Sequence, residues 1–465
     1  YISYLFAGDQ AQFNGKWDVA ATTGYYSGNG TDDNKITLGW EPQLVLIKAV
    51  SGTNGNTNWA IFDKMRRMSL RCHNTNAGGG DAFLQPNMVN SEDDSNDMID
   101  FHIDGFSLSS GSNYTNHQTT NYIYYAIRNG MPEPKSATEV FAMARGRGAR
   151  PSYISNFPVD FAYRKEITNN NSDWNVGFRK TSRTDMKWND KNTVEGAYSN
   201  FQYGYSNGWE YSNEGSDNLA YMFKRAEGFF DYQLWTGNDV SGRQIPHQLA
   251  AVPEMIITKP RDSSTEGWFV YHKDLPTTSY LKFDDEGISQ ADDAWTATPP
   301  NDTHFILGSH ESVNGASIDY VGQLYASLPG ISKVGSYTAT GNVQEIDCGF
   351  TAGPRYLLIK RYLDENGHGA TGGANWNLFD TVRGMAEPHA TLGEMMDSVP
   401  GTKTWTVPAG VTSISVLCIG GGGGCVLYPS GTTGASGGGG GALAYKNNIS
   451  VTPGQTITYF VGDGG

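Results

Sequence analysis

Cysteine is scarce and poorly placed for chemistry. Cys72, Cys348, Cys418 and Cys425 are the only four in 465 residues; none form a Cys-x-x-Cys pair and no histidine set completes a zinc site, so they read as free thiols. Positive charge is also short. The 33 Lys and Arg face 48 Asp and Glu, leaving a net charge of −15. Phosphate backbones are bound chiefly through neutralisation by Lys and Arg, so nucleic acid is not an expected partner. No apolar run approaches the roughly 20 residues that cross a bilayer and no signal peptide opens the chain, so membrane insertion is not expected either. Sustained helical periodicity is missing as well.

What is present favours strands and turns. Gly (58) and Tyr (26) are abundant, aromatics reach 12%, and charged residues supply only 17%, a composition that points to an all-β protein. The length exceeds what one core can serve and fits three to five domains of roughly 100–150 residues.

A recurring phrase organises those domains. It consists of a proline, a short apolar run, a basic residue six positions on, and then a tryptophan. Its copies are Pro42 to Lys48 with Trp59, Pro158 to Arg164 with Trp174, Pro253 to Lys259 with Trp268, and Pro354 to Lys360 with Trp376. The prolines stand 116, 95 and 101 residues apart, a domain-sized period. Each run is bounded by Pro and polar turns, which describes a strand with a buried face. Each tryptophan starts or precedes a second strand, as in Trp59-Ala60-Ile61-Phe62-Asp63. Alternation puts the indole and the residue two later on one face, expected to be the core. Trp59, Trp174, Trp268 and Trp376 are therefore expected core residues, and Lys48, Arg164, Lys259 and Lys360 are expected to cap a strand or pair with a carboxylate such as Asp63 or Asp380. A closing aromatic strand ends each unit, for example Asn121 to Arg128. The opening Tyr1 to Ala7 matches it, so a further unit is expected before residue 1.

Two packed sheets per unit is the economical architecture. The expected organisation is residues 1–9 as the last strand of a preceding module, sandwiches over 10–134, 135–227 and 228–330, a partial or short one over 331–398, and a glycine-rich β domain over 399–465. The last follows from the tracts Gly420 to Gly424 and Gly437 to Gly441, which apolar strands flank on both sides. Composition alone would allow a flexible linker there, but the flanking strands give the glycines a folded frame.

Gly39-Trp40-Glu41-Pro42 through Lys48, with Trp59 to Asp63 and the closing strand, resembles the lectin-like, concanavalin-type domain repeated in tail proteins of marine tailed phages; the fourth copy, with Phe379-Asp380-Thr381-Val382-Arg383-Gly384, resembles it most. The second copy departs by carrying Gly177-Phe178 where an aromatic-Asp pair is usual. Trp405-Thr406-Val407-Pro408-Ala409-Gly410-Val411 with Gly420 to Gly424 and Ala442 to Tyr445 is similar to the glycine-rich domain of phage fibre and adhesin proteins. The resemblance implies tandem concanavalin-like or jelly-roll sandwiches, a virion location in the tail, a homotrimer contacting other tail proteins, a structural or host-attachment role, and no catalytic residues. A polysaccharide-degrading tail enzyme and a secreted bacterial adhesin are the alternatives.

Gly434-Ala435-Ser436-Gly437-Gly438 has the nucleophile-elbow pattern, but no helix follows it as that elbow needs. Glu345-Ile346-Asp347 lacks the second carboxylate that a retaining glycosidase holds about 5–5.5 Å from the first. Glu92-Asp93-Asp94 with Asp97, Asp284-Asp285-Glu286, Asp292-Asp293 and Asp32-Asp33 carry oxygen ligands that suit calcium without a calcium-loop spacing, and read first as solvated loops; no cofactor is expected. Binding of a host cell-surface glycan has the most support, since sugars stack on exposed aromatic rings. Tyr203, Tyr205, Trp209, Tyr211 and the loop residue Trp295 are the candidate platform, and the spacing of two along Phe201, Tyr203 and Tyr205 and from Trp209 to Tyr211 also suits a strand with one buried aromatic face, which is the first reading there.

Overall fold

Short β-branched and aromatic runs separated by Gly, Asn, Asp and Ser turns produce an all-β, antiparallel structure. A computed structural model describes residues 9–13, 16–32, 34–52, 57–66, 80–109, 112–169, 171–181, 184–190, 193–197, 201–212, 214–276, 278–283, 288–290, 293–340, 344–351, 353–362, 375–384, 401–407, 411–419 and 443–461. The Gly-x-Ser-x-Gly match, Tyr1 to Ala7, and Asp284 to Glu286 lie outside the described residues.

Three sandwiches follow one another. In the first, a five-stranded sheet in the order Asp9–Phe13, Lys16–Ser27, Asn121–Arg128, Pro42–Ser51, Trp59–Asp63 is partnered by Asn34–Thr37, Gly105–Leu108 and Ile99–His102. Val45, Ile47, Phe62, Phe83, Ile99, Phe106 and Tyr122 fill its core. In the second, the order Gly196–Ala197, Thr184–Lys187, Asn175–Phe178, Phe161–Glu166, Asn218–Phe223, Phe141–Arg145 is partnered by Tyr153–Ile154, Gly208–Tyr211 and Phe201–Gln202. In the third, Phe230–Thr236, Asp319–Tyr325, Met255–Pro260, Phe269–His272, Ser279–Lys282 and Ile288–Gln290 face the pair Arg243–Pro246 and His304–Leu307. The fourth copy of the phrase contributes a hairpin, Tyr356–Ile359 with Asn377–Asp380.

The four copies share one register. Lys48 pairs with Trp59; Thr258 pairs with Phe269 and Ile359 with Asn377, which sets Lys259 beside Trp268 and Lys360 beside Trp376. In the second copy Arg164 pairs with Asn175, so the residue beside Trp174 is Lys165, not the Arg164 that counting from proline selects. The ammonium chemistry agrees. Lys48, Lys165 and Lys259 each donate to the carbonyl two residues before their tryptophan, on Thr57, Ser172 and Glu266. Lys48 and Lys360 also lie over the Trp59 and Trp376 rings at 5.9 and 5.6 Å. Arg164 instead turns toward its own sandwich, over the Tyr211 ring at 4.1 Å and donating to Asn218 Oδ1 at 2.8 Å. The expected carboxylate partners are also taken: Asp63 pairs with Arg66 and Asp380 with Arg383, both at 2.5 Å.

The indoles do not face the core of their own sandwich. In the first sandwich Val45, Ile47, Ala60 and Phe62 point inward, whereas Leu44, Leu46, Trp59 and Ile61 lie on the opposite face of the sheet. In the second and third sandwiches that outer face is buried too, because the two sheets pack against each other. Phe161, Tyr163, Val176, Tyr221 and Trp188 from one meet Phe230, Tyr232, Ile257, Trp268 and Val321 from the other in a single cluster. The Phe161 and Phe230 rings are 5.4 Å apart, those of Phe178 and Tyr232 5.0 Å, and Trp188 meets Trp268 edge-on at 6.3 Å. The Trp268 indole donates to the Lys187 carbonyl of the second sandwich at 2.9 Å. Trp174, Trp376, Tyr356 and Leu378 pack on the same cluster, and the Tyr163 hydroxyl donates to that of Tyr356 at 2.9 Å. Strands buried on both faces explain why Asn218–Phe223 is buried at every position.

The departure at Gly177 has a steric cause. A Cβ there would lie 2.3 Å from the Phe201 ring. Gly177 takes the register position of Phe62, and Phe201 from the opposing sheet fills the space that a large side chain fills in the first copy.

The contact pattern divides the chain into one unit of residues 1–350 with 356–384 and another of 351–355 with 385–465. Within the second unit Gly401–Thr406 pairs with Thr456–Val461, and Ser413–Ile419 with Leu443–Ser450. Val407, Val411 and Val451 form its small buried cluster, with Trp405, Ile414 and Ile449 against it.

Candidate functional site

The aromatic residues expected to stack on a sugar are mostly interior. Trp209 has no solvent exposure, and Tyr203, Tyr211 and Trp295 are buried; Tyr153, Phe201 and Trp209 pack together as the core of the second sandwich, and Trp295 lies in that of the third. A ring without an open face cannot stack on a solute, so these four are core residues. Tyr205 alone keeps partial exposure. Glu345 to Asp347 lies outside any strand, and Asp347 Oδ1 accepts the Gly349 N–H of its own turn at 2.7 Å.

Two polar sites stand out instead. One is a buried ionic junction where the three sandwiches meet. Arg225, on the segment entering the third sandwich, donates to both Glu41 oxygens at 3.0 Å and to Asp231 Oδ1 at 2.6 Å. Lys180 reaches the same Glu41 carboxylate at 3.1 Å. Arg179 pairs with Asp160 at 3.1 Å and donates to the carbonyls of Tyr203, Val159 and, in the first sandwich, Lys64. Charges withdrawn from water must be matched this way or the cost is several kcal/mol each. Burial pushes the Asp160 carboxyl up, but Arg179, Lys64 and Arg225 outweigh it and hold it below the usual carboxylate range. Burial likewise opposes ionisation of Asp231, and Arg225, the Gln248 N–H and Lys180 reverse the sign. For Lys180 burial wins, leaving its ammonium more acidic than an ordinary lysine despite Glu41. The junction encloses a cavity of about 30 Å³, room for roughly one or two water molecules. It joins modules and has no space for a sugar.

The other site is open. A cleft of about 260 Å³ on the first sandwich is lined by Phe83, Gln85, Asn90, Ser91, Glu92, Asp93, Asp94 and Tyr114. The antiparallel bridge between Phe83 and Asp93 draws the acidic loop across the sheet end. Asn90 donates to Gln85 Oε1 at 3.1 Å, while the Gln85 Nε2 donor is buried and meets no hydrogen-bond partner among the described residues. Asp93 accepts from the Ser95 hydroxyl and N–H at 2.6 and 3.0 Å, which hold it below the usual carboxylate range. Glu92 faces Arg66 at 3.3 Å. Among the described residues no group of three or more His, Cys, Asp or Glu is arranged to hold a metal ion. The exposed Asn90 amide and Ser91 hydroxyl beside the acidic acceptors and the Tyr114 ring offer complementary partners to a group that both donates and accepts, as a sugar hydroxyl does.

The acidic run was visible in the sequence; the amide was not, since nothing local distinguishes Gln85 from other glutamines. Glu41 directly precedes the proline that opens the first copy of the phrase, but its partner Arg225 is 184 residues away.

Compared with known proteins, residues 397–465 match a glycine-rich domain. No curated protein and no solved structure matches. Residues 1–130 and 164–404 match a domain of unknown function, DUF7483, and this match runs across all three sandwiches and the fourth hairpin. The chain, three β-sandwiches and a hairpin leading to a glycine-rich domain, therefore belongs to the DUF7483 family.

Proposed function

We propose that the chain is a structural component of a phage tail fibre, built from concanavalin-like sandwiches, that contributes to attachment at a host cell-surface glycan and carries no catalytic site. The observation that carries this reading is the aromatic cluster between the second and third sandwiches: consecutive modules share a hydrophobic core rather than a linker, which suits an element that holds length and transmits force. The glycine-rich domain supports it, as does the cleft around Gln85, whose chemistry fits polyhydroxylated ligands. Weak single sites would gain avidity from repetition on a particle.

Labelling of virions with an antibody against this chain tests the location, and the tail should be decorated; label confined to host cells would favour a secreted adhesin. A glycan array tests the cleft, with binding expected to fall at least about tenfold in Asn90→Leu, as loss of one well-placed polar group implies. Release of oligosaccharides from host capsule would contradict the non-catalytic reading.

A further inference from the structure

The shared register continues past the end of each tryptophan strand, where a basic residue stands in three copies. Lys64, Arg179 and Lys273 each donate their backbone N–H back to the neighbouring strand, to the carbonyls of Gln43, Asp160 and Glu254 at 3.0, 2.8 and 2.8 Å. In the second and third copies the side chains of those two residues also pair, Arg179 with Asp160 at 3.1 Å and Lys273 with Glu254 at 2.7 Å. The first copy has the neutral Gln43 in the carboxylate's place. Its lysine turns instead to a side-chain amide, with Lys64 Nζ 2.5 Å from Asn129 Oδ1. Lys64 and Asn129 end the two strands that flank Pro42–Ser51, and the Asn129 N–H donates to the Glu41 carbonyl at 2.8 Å, which holds its backbone in place.

The surroundings suit a reaction between the two groups. A C=O bond of about 1.23 Å places Cγ of Asn129 at most about 3.7 Å from Nζ, close to the roughly 3–3.5 Å of a near-attack arrangement. Both residues line the cavity of about 30 Å³ at the junction, together with Asp160, and Asn129 is only 5% exposed. So little enclosed water leaves the amine with little competition. Burial makes the Lys64 ammonium more acidic than an ordinary lysine, although Asp160, the charge it feels most strongly, works against this. The lysines of the repeat, Lys48, Lys165 and Lys259, meet main-chain carbonyls, where acyl transfer would cut the chain. At Asn129 the departing group is a side-chain nitrogen, and the chain stays whole.

We propose that Lys64 and Asn129 join in an intramolecular isopeptide bond, formed by the folded chain itself with Asp160 as proton carrier. One ammonium proton passes to Asp160, and the freed Nζ lone pair bonds Cγ. A second Nζ proton moves to Nδ2, which leaves as ammonia when the Cγ–Nδ2 bond breaks. Ammonia takes the proton back from Asp160 and departs as ammonium. The products are a secondary amide, one ammonium ion and an unchanged carboxylate, with no oxidant or other reactant consumed. The link closes the chain from residue 64 to residue 129 into a ring and clamps two strands across the one between them, restricting the unfolded chain as other cross-links of long loops do.

Mass spectrometry of the purified, folded chain tests this. The intact mass should fall short of the sequence mass by one ammonia. Trypsin should spare Lys64 and release residues 49–66 joined to residues 129–135 as one branched peptide. Lys64→Arg, which installs the residue the second copy uses at this position, should show its full sequence mass and an unchanged circular dichroism spectrum. A wild type of full mass, with the two peptides separate, would overturn the proposal. So would a loss of ammonia with the peptides still separate, the signature of ring closure between Asn129 and Gly130, or a loss that persists in Lys64→Arg. The wild-type peptide map decides the matter even if that variant fails to fold.

Discussion

Arg225→Met is the sharpest perturbation of the junction between the three sandwiches. The guanidinium donates to Glu41 and Asp231 together, and both carboxylates are buried. Methionine is close in volume, so the change removes charge and hydrogen bonds while opening little space. Removing one partner of a buried ion pair costs about 3–5 kcal/mol, mostly as the penalty for the stranded charge. Here two carboxylates lose their main partner and Lys180 remains for only one of them directly, so the loss should lie at the upper end, about 5 kcal/mol. Equilibrium urea unfolding followed by tryptophan fluorescence measures it. Adding Glu41→Gln should recover part of the loss, since the neutral amide no longer needs a cation. A loss below about 1 kcal/mol, typical of exposed pairs, would refute the view that the junction is desolvated and held by Arg225.

Acid should weaken the same junction. Asp160 and Asp231 are more acidic folded than unfolded, so their stabilisation is complete above the unfolded value of about 4 and is lost as pH falls through the depressed folded values; urea midpoints should drop below about pH 4, and less steeply in Arg225→Met. Trp268→Ala empties the centre of the inter-sandwich cluster and orphans the Lys187 carbonyl. A cost of about 3–5 kcal/mol is expected, read from the same titration. Gly177→Ala drives a methyl into Phe201 and should cost about 1–3 kcal/mol, with Phe201→Leu relieving part of it in a double-mutant cycle.

The sequence exposed the strands, the repeat and the glycine-rich end because those rest on local periodicity and turn chemistry. It could not say which face of a strand becomes a sandwich core. In Phe161–Glu166 both faces carry apolar residues, and alternation assigns residues to a face without saying what covers it. The adjacent pair Arg164 and Lys165 shows the same limit. Either could complete the Lys-Trp hairpin, and only the register with Asn175 and Leu219 selects Lys165. The aromatic run from Phe201 to Tyr211 fitted a core strand first and a ligand platform second, and the sealed Trp209 decides for the core. The junction and the Gln85 cleft were out of reach, since their geometry depends on residues brought together from distant modules or loops.

The central claim is that outward tryptophan faces fuse the second and third sandwiches into one core. Native-state hydrogen exchange of the intact chain tests it most directly, by comparing amides of Phe161–Glu166 with those of Met255–Pro260. One shared opening free energy, falling together in Trp268→Ala, is the result expected of a common core. Separate opening energies, with Phe161–Glu166 unmoved by that substitution, would contradict it.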